Sequence, residues 1–123
     1  MFDPLAALIQ CRQSLLIAFN PIIRAIDFDP QISQLKTTFA TGAALYIGFN
    51  EYGEYAYQLL FSRAKGDFIR WDNFDAKWPV ETQPHHFHPK NAAQAVASPM
   101  IGDPAADMPI LINELKKYFI HIN

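Results

Sequence analysis

The fold class is decided by the stretch EYAYQLLF, residues 54 to 61, and by DFIRWDN, residues 67 to 73, which follows after a short turn. In the first stretch every second side chain is large and apolar: Tyr55, Tyr57, Leu59 and Phe61. The second stretch alternates in the same way, and a period of two is typical of strands with one buried face. The short connection through Lys65-Gly66 predicts that the two strands are antiparallel neighbours.

The same alternation recurs upstream of these two runs. Proline or glycine marks the breaks between the runs, at Asp29-Pro30, Thr41-Gly42 and Tyr52-Gly53. We therefore predict five strands, near residues 22 to 28, 32 to 40, 43 to 50, 54 to 63 and 67 to 73. Their short connections favour an antiparallel meander with at least one buried face.

One helix is predicted at each end of this sheet. Asp3-Pro4 supplies a cap and a first helical residue for a helix over residues 3 to 18. The last helix is predicted to open at residues 107 to 109, with Asp107 or Asp103 as its cap. The expected fold class is α+β: a five-stranded antiparallel meander sheet with an N-terminal and a C-terminal helix.

Composition limits the number of domains and the kinds of partner. A chain of 123 residues with 50% hydrophobic and 14% aromatic residues can bury one sizeable core, so we expect a single domain over residues 1–123. Ten basic residues against 12 acidic ones give a net charge of −2. This charge provides no global attraction for nucleic acid or an anionic membrane, so any contact with RNA would be local.

Cysteine usage and the N-terminus indicate the compartment. A single cysteine, Cys11, cannot form an internal disulfide, as expected for a reducing environment. The N-terminus lacks the basic region of a signal peptide, and we find no stretch approaching the roughly 20 apolar residues that span a bilayer. We therefore expect a cytoplasmic protein without a membrane segment.

The unusual chemistry lies between residues 74 and 104, which we predict to be a functional loop wrapped over the domain or partly mobile. Three histidines, His85, His86 and His88, stand between two prolines that favour extended backbone. In an extended segment His86 and His88 point to one side and His85 to the other. Imidazoles exchange protons near neutral pH, which is what a metal-independent ribonuclease requires.

Two other interpretations of these histidines stay open. Imidazoles are also metal ligands, and Asp72 or Asp75 could complete a coordination sphere, yet the spacing matches no strong zinc signature. We therefore expect no metal and no other cofactor. In the other interpretation, exposed histidines in a proline-flanked loop only cover an aromatic surface or accept hydrogen bonds.

Two charged residues on the fifth predicted strand are further site candidates. Arg70 and Asp72 lie two apart on one strand face, so either could orient a histidine or hold a phosphate, and Asn73 could help to orient an imidazole. A simple ion pair on the sheet surface explains Arg70 and Asp72 equally well.

Aromatic and basic residues nearby are candidates for binding RNA or a partner. Trp71 and Trp78 could stack on a base, although core packing is the expected role of Trp71. Lys77 and Lys90 belong to a weak local excess of basic residues over residues 62 to 90.

These residues carry a resemblance to a known family. Residues 68 to 73, Phe-Ile-Arg-Trp-Asp-Asn, followed by residues 84 to 88, Pro-His-His-Phe-His, resemble the TumE family of toxins from bacterial type II toxin-antitoxin systems. The resemblance covers about residues 22 to 119, and Phe87 stands where that family often has lysine. It implies an α+β toxin with a cognate antitoxin as its partner.

Two functional hypotheses follow. In the first, the protein is a metal-independent endoribonuclease in which His86 and His88 exchange protons while Arg70 steadies phosphate charge, an activity suggested by analogy with other small toxins. In the second, it is a non-catalytic module whose histidine loop and Trp78 bind a helix-turn-helix antitoxin. The sequence leaves the oligomeric state open.

Overall fold

Two helices and seven strands make up residues 2–75 and 77–119, the part of the chain that the structure, a computed structural model, describes. The chain begins with α1 (Pro4–Phe19) and a 3-10 turn (Asn20–Ile22) and ends with α2 (Pro104–Phe119). Between them lie β1 (Ile23–Asp29), β2 (Gln34–Phe39), β3 (Ala44–Phe49), β4 (Tyr55–Leu60), β5 (Phe68–Asp72), β6 (His86–His88) and β7 (Val96–Ala97).

The strands form one sheet in the order β1 to β7, and each is antiparallel to the next. This arrangement confirms the α+β class, the meander and the two terminal helices. The number of strands was wrong: the sheet has seven, because β6 and β7 come from the stretch that was expected to be a loop. Both added strands are only two or three residues long, too short for a period of two to be recognised.

The two faces of the sheet differ sharply in burial. Alternate residues of β2 to β4 are buried and pack against the helices, and among the most buried are Leu35, Phe39, Leu45, Ile47, Tyr57 and Leu59. The intervening residues lie on the opposite face, which neither helix covers, and are only partly buried. The sheet therefore has a core face and an open face, and polar side chains on the open face are available for chemistry.

The first helix is a core helix with an unusually apolar surface. The Asp3 side chain accepts a hydrogen bond from the Ala6 amide at 3.1 Å, which confirms the predicted cap. Pro4–Ile22 is long and apolar enough, by these two properties alone, to cross a membrane, so our expectation that no such stretch exists was wrong. In the structure α1 instead packs on the sheet, through Ala7, Leu8, Cys11, Leu15 and Phe19. Its place on the core explains only these buried residues, because the large apolar side chains of Leu5, Ile9 and Ile17 stay exposed.

The second helix begins three residues before its predicted start, at Pro104. The Asp103 side chain accepts a hydrogen bond from the Ala105 amide at 3.1 Å, so Asp103 has the capping role of the two candidates. Asp107 lies inside the first turn and is fully buried. Asp103 stands one residue before Pro104, and Asp107 stands two residues before Pro109. Because proline suits the first turn of a helix, the sequence pattern could not decide between the two caps.

Asp107 joins the last loop to the sheet. Its carboxylate accepts hydrogen bonds from the Tyr57 hydroxyl at 2.6 Å and from the amides of Ile101 at 2.9 Å and Gly102 at 2.8 Å. Burial raises the pKa of Tyr57, and the hydrogen bond to Asp107 adds to the increase, so the hydroxyl stays protonated and donates. This carboxylate thereby fixes α2 and the loop before it against β4.

We predict that Asp107→Ala lowers the free energy of unfolding by about 3 kcal/mol, because it leaves a buried hydroxyl and two amides without their charged acceptor. The matched variant Asp103→Ala removes only an exposed cap and should cost about 1 kcal/mol. Urea denaturation followed by tryptophan fluorescence measures both. Equal losses for the two variants would contradict the assigned role of Asp107.

Candidate functional site

The register between β5 and β6 brings the predicted site residues together. Arg70 pairs with His88, and Asp72 pairs with His86. Residues that face one another across antiparallel strands lie on the same side of the sheet. Arg70, Asp72, His86 and His88 therefore lie side by side on the open face, and we call these four residues the Asp72 cluster.

Asp72 is the centre of this cluster and is only 2% exposed. Its Oδ2 accepts a hydrogen bond from Arg70 Nε at 2.6 Å, and its Oδ1 accepts one from the Phe74 amide at 2.9 Å. Nε2 of His86 lies 3.0 Å from Oδ1, and Nε2 of His88 lies 3.7 Å from Oδ2. One carboxylate thus faces a guanidinium, an amide and two imidazoles.

The two imidazoles of the cluster differ in how they meet the solvent. His86 is 1% exposed, and its two nitrogens face the Pro84 carbonyl at 2.9 Å and Asp72. The His88 side chain is 22% exposed. It lines a cleft of about 380 Å³ beside Lys65 and Asn91. Of the two imidazoles, only that of His88 can therefore meet a molecule that enters from solvent. The two histidines predicted to share one side of the strand thus comprise a buried and an accessible member.

Burial lowers the pKa of the His88 imidazole, Asp72 acts in the opposite direction, and the neighbouring His86 and Arg70 side chains add to the decrease. Because the result lies below the ordinary value, the imidazole of His88 is mainly neutral at neutral pH. A neutral imidazole has a free lone pair, so it can accept a proton or bind a cation.

Arg70 is held from two sides on the open face. Its Nε contacts Asp72, and its Nη1 donates a hydrogen bond to Gln58 Oε1 at 2.7 Å. Both Arg70 and Gln58 line a groove of about 490 Å³ across the sheet. Sequence reasoning missed Gln58, because only the register of β4 against β5 places it opposite Arg70.

His85, the third histidine, lies apart from the cluster. Its Nδ1 is 2.9 Å from the Tyr55 hydroxyl, and the two rings stack. Burial raises the pKa of Tyr55, with smaller contributions from Asp107 and Asp72, so the hydroxyl stays protonated. The structure thus places His85 against a core tyrosine and away from Asp72.

The predicted tryptophans occupy different surroundings. Trp71 is 3% exposed and packs against Phe87 on the core face, with ring centroids 4.7 Å apart. Trp78 is half-buried and lies beside the imidazoles, with its ring centroid 6.1 Å from that of His86 and 5.4 Å from that of His88. Trp78 therefore forms a wall of the Asp72 cluster, whereas Trp71 supports it from beneath.

The remaining candidates lie around this centre. The side chain of Asn73 accepts a hydrogen bond from the Tyr55 amide at 2.9 Å and donates one to the Gly53 carbonyl at 3.2 Å, so it ties β5 to the turn before β4 and contacts no imidazole in these hydrogen bonds. Exposed Lys77 lies over the Trp78 ring at 5.1 Å. Lys90 is paired with Asp67 at 3.0 Å.

Three members of the cluster have the donor atoms of a metal site. Asp72, His86 and His88 each offer one ligand atom, and these atoms all lie within 4.8 Å of one another. Two imidazoles and one carboxylate are a common ligand set for transition metals. The same groups without an ion could bind a phosphate next to Arg70 and move a proton through His88.

We predict that Asp72→Asn lowers the free energy of unfolding by about 3 kcal/mol, because it removes the buried carboxylate that contacts half-buried Arg70 and buried His86. Asp75→Asn is the matched control, since Asp75 also forms an ion pair, with Lys77 at 3.4 Å, but both residues of this pair are exposed. The control should cost less than about 1 kcal/mol in urea denaturation. Similar losses would show that Asp72 does not organise the cluster.

Comparisons with known proteins agree with the resemblance noted from the sequence. The profile of one family, described as Toxin TumE, matches residues 12–119, which reach from within α1 to the end of α2 and include the whole Asp72 cluster. A search of curated proteins and a search of solved structures found no significant match. The chain therefore belongs to the Toxin TumE family, the toxins of a type II toxin-antitoxin system.

Proposed function

We propose that this toxin is a cytoplasmic endoribonuclease, formed by a single domain over residues 1–123, and that the Asp72 cluster is its active site. The observation that carries the proposal is the placement of Arg70 next to His88 across two strands, on a face that neither helix covers. A guanidinium and an imidazole side by side suit a phosphodiester, because one binds phosphate charge and the other transfers a proton.

In this proposal the two histidines have different roles. The sequence suggested that His86 and His88 exchange protons without a metal, but His86 is buried and both its nitrogens face oxygen atoms of the protein. We therefore assign the contact with RNA to His88, which would take the proton of the attacking 2′-hydroxyl. Asp72 and His86 are positioning residues in this scheme, and Arg70 stabilises the negative charge on phosphorus-bound oxygens.

Net charge does not draw RNA to the protein, so local groups have to hold the strand. Lys65 lines the same cleft as His88, and Arg70 lines the adjoining groove on the open face. A phosphate placed over Arg70 and His88 would leave neighbouring nucleotides in reach of these two depressions. Short single-stranded segments suit such a surface better than a duplex, because the bound region is narrow.

We predict that His88→Ala reduces the rate of RNA cleavage by about 100-fold or more, the usual contribution of a proton-transferring group. The gene is induced in a bacterial host, and growth and RNA integrity are compared with those of the wild type and of Lys116→Ala, an exposed position on α2. Lys116→Ala should remain as toxic as the wild type. Circular dichroism of the purified proteins confirms folding.

If His88→Ala is folded and equally toxic, the catalytic assignment is wrong. If the wild type arrests growth while purified toxin leaves RNA intact, the endoribonuclease proposal fails and the toxin has another target.

A second candidate function concerns the partner. A toxin family suggests an antitoxin, and we propose a helix-turn-helix antitoxin that binds over Trp78 and the histidine segment. The supporting observation is that half-buried Trp78 lies against both imidazoles, so a partner covering this ring would also cover the entrance to His88. Tryptophans at the centre of an interface commonly supply much of its binding energy.

We predict that Trp78→Ala weakens the complex with the antitoxin encoded beside the toxin gene by more than about 1 kcal/mol, or roughly fivefold in Kd. Isothermal titration calorimetry with purified proteins measures the change. Tyr52→Ala is a matched control, because Tyr52 is an exposed aromatic residue in the turn before β4. An unchanged Kd for Trp78→Ala would move the interface elsewhere.

A further inference from the structure

We propose that Asp72, His86 and His88 bind one divalent transition-metal ion, for which Zn²⁺ is the best chemical match. The three ligand atoms come from two neighbouring strands and lie within 4.8 Å of one another. His86 and His88 are two apart on β6, so the strand itself directs both imidazoles to the side on which Asp72 lies. No large rearrangement is needed for the three groups to reach one ion.

The orientation of His86 is an independent observation in favour of a cation. Its Nδ1 lies 2.9 Å from the Pro84 carbonyl, which can only accept a hydrogen bond, so Nδ1 has to carry the proton. In a neutral ring the other nitrogen, Nε2, then holds a lone pair. That lone pair points at Asp72 Oδ1, 3.0 Å away, so two acceptors face each other.

Something positive has to separate these two acceptors. Either a second proton makes His86 an imidazolium, or a metal ion binds both atoms. Histidines that bind metals commonly donate their other N–H to a backbone carbonyl, as His86 does to Pro84, and this bond fixes the ring with its lone pair towards the ion. The geometry of His86 is therefore the one that a metal ligand requires.

His88 completes the ligand set and leaves the site open to solvent. Its Nε2 lies 3.7 Å from Asp72 Oδ2, within reach of the same ion as the other two ligand atoms. Because the His88 side chain is 22% exposed beside a cleft, an ion held here would keep at least one coordination position for water or a substrate oxygen. Three protein ligands with an open position are typical of catalytic zinc sites.

Arg70 limits how tightly the site can hold a dication. Its guanidinium lies 2.6 Å from Asp72 Oδ2 and repels a second positive charge nearby. The carboxylate can still serve both, with Oδ2 towards Arg70 and Oδ1 towards the ion, as orienting partners of metal-binding carboxylates do. We therefore expect a single exchangeable ion.

This inference rests on the geometry of the cluster and not on RNA cleavage. If cleavage also occurs here, the ion and free proton transfer are alternative uses of the same His88 imidazole, since a ligating nitrogen cannot also accept a proton. The two proposals therefore need separate measurements.

The test uses full-length toxin that has been treated with a chelator and then dialysed. Zn²⁺ is titrated by calorimetry, and Co²⁺ by visible absorption, which reports imidazole and carboxylate coordination directly. We expect saturation at one ion per chain. His88→Gln should weaken binding at least tenfold, because it removes a ligand while disturbing the least buried member of the set.

Asp72→Asn provides a second ligand variant, and His85→Gln is the matched control. His85 belongs to the same segment but faces Tyr55, so its variant should still bind one ion with unchanged affinity. Thermal unfolding confirms that each protein is folded. If Asp72→Asn does not fold, the affinity of His88→Gln for the ion decides the outcome. In addition, Zn²⁺ should raise the Tm of the wild type but not that of His88→Gln.

Absence of saturable binding, or equal affinity in His88→Gln and His85→Gln, overturns the proposed metal site.

RNA cleavage is assayed in parallel with chelator and with added Zn²⁺. Cleavage in chelator by a protein that binds no ion leaves the endoribonuclease proposal standing and removes the metal site. If the protein binds one ion but cleaves no RNA under any condition, the metal site stands and the endoribonuclease proposal fails.

Discussion

A carboxylate buried on the open face of the sheet is the constraint on which the site depends. Asp72 is almost fully removed from solvent, and an isolated buried charge costs several kcal/mol. The fold offsets that cost with Arg70 Nε and the Phe74 amide, which each donate a hydrogen bond to a carboxylate oxygen, and it places His86 Nε2 3.0 Å from Oδ1. The positions of these groups are therefore coupled, because displacing one leaves the carboxylate without compensation.

The opposite face of the same strands holds this arrangement in register. Trp71 packs on Phe87 within the core face, and this pair lies between the two pairs that form the Asp72 cluster. A slip of one residue would send His86 and His88 into the core and Phe87 out to solvent. Phe87, which is partly buried and packs against the core, thus fixes how the histidines point.

The sequence alone predicted the larger elements because their signals are local. Runs of five or more alternating residues between turns identified β1 to β5, and the same alternation placed Arg70 with Asp72 and His86 with His88. It could not identify β6, whose three residues His86–His88 acquire strand geometry only by pairing with β5. Nor could it distinguish the buried histidine from the accessible one. That difference arises from the contacts of His86 with Pro84, Trp78 and Asp72, its partner on β5, most of which are distant in the sequence.

A second buried aspartate shows why chemistry is expected at Asp72 in particular. Asp107 is equally removed from solvent, but its partners are a tyrosine hydroxyl and two backbone amides, which hold their protons firmly near neutral pH. Asp72 instead faces two imidazoles, groups that exchange a proton or a metal ion in that range, and one of them opens onto a cleft. Burial alone makes a carboxylate structural. Burial beside exchangeable partners, with a path to solvent through His88, is why we propose the Asp72 cluster as the site at which this toxin acts.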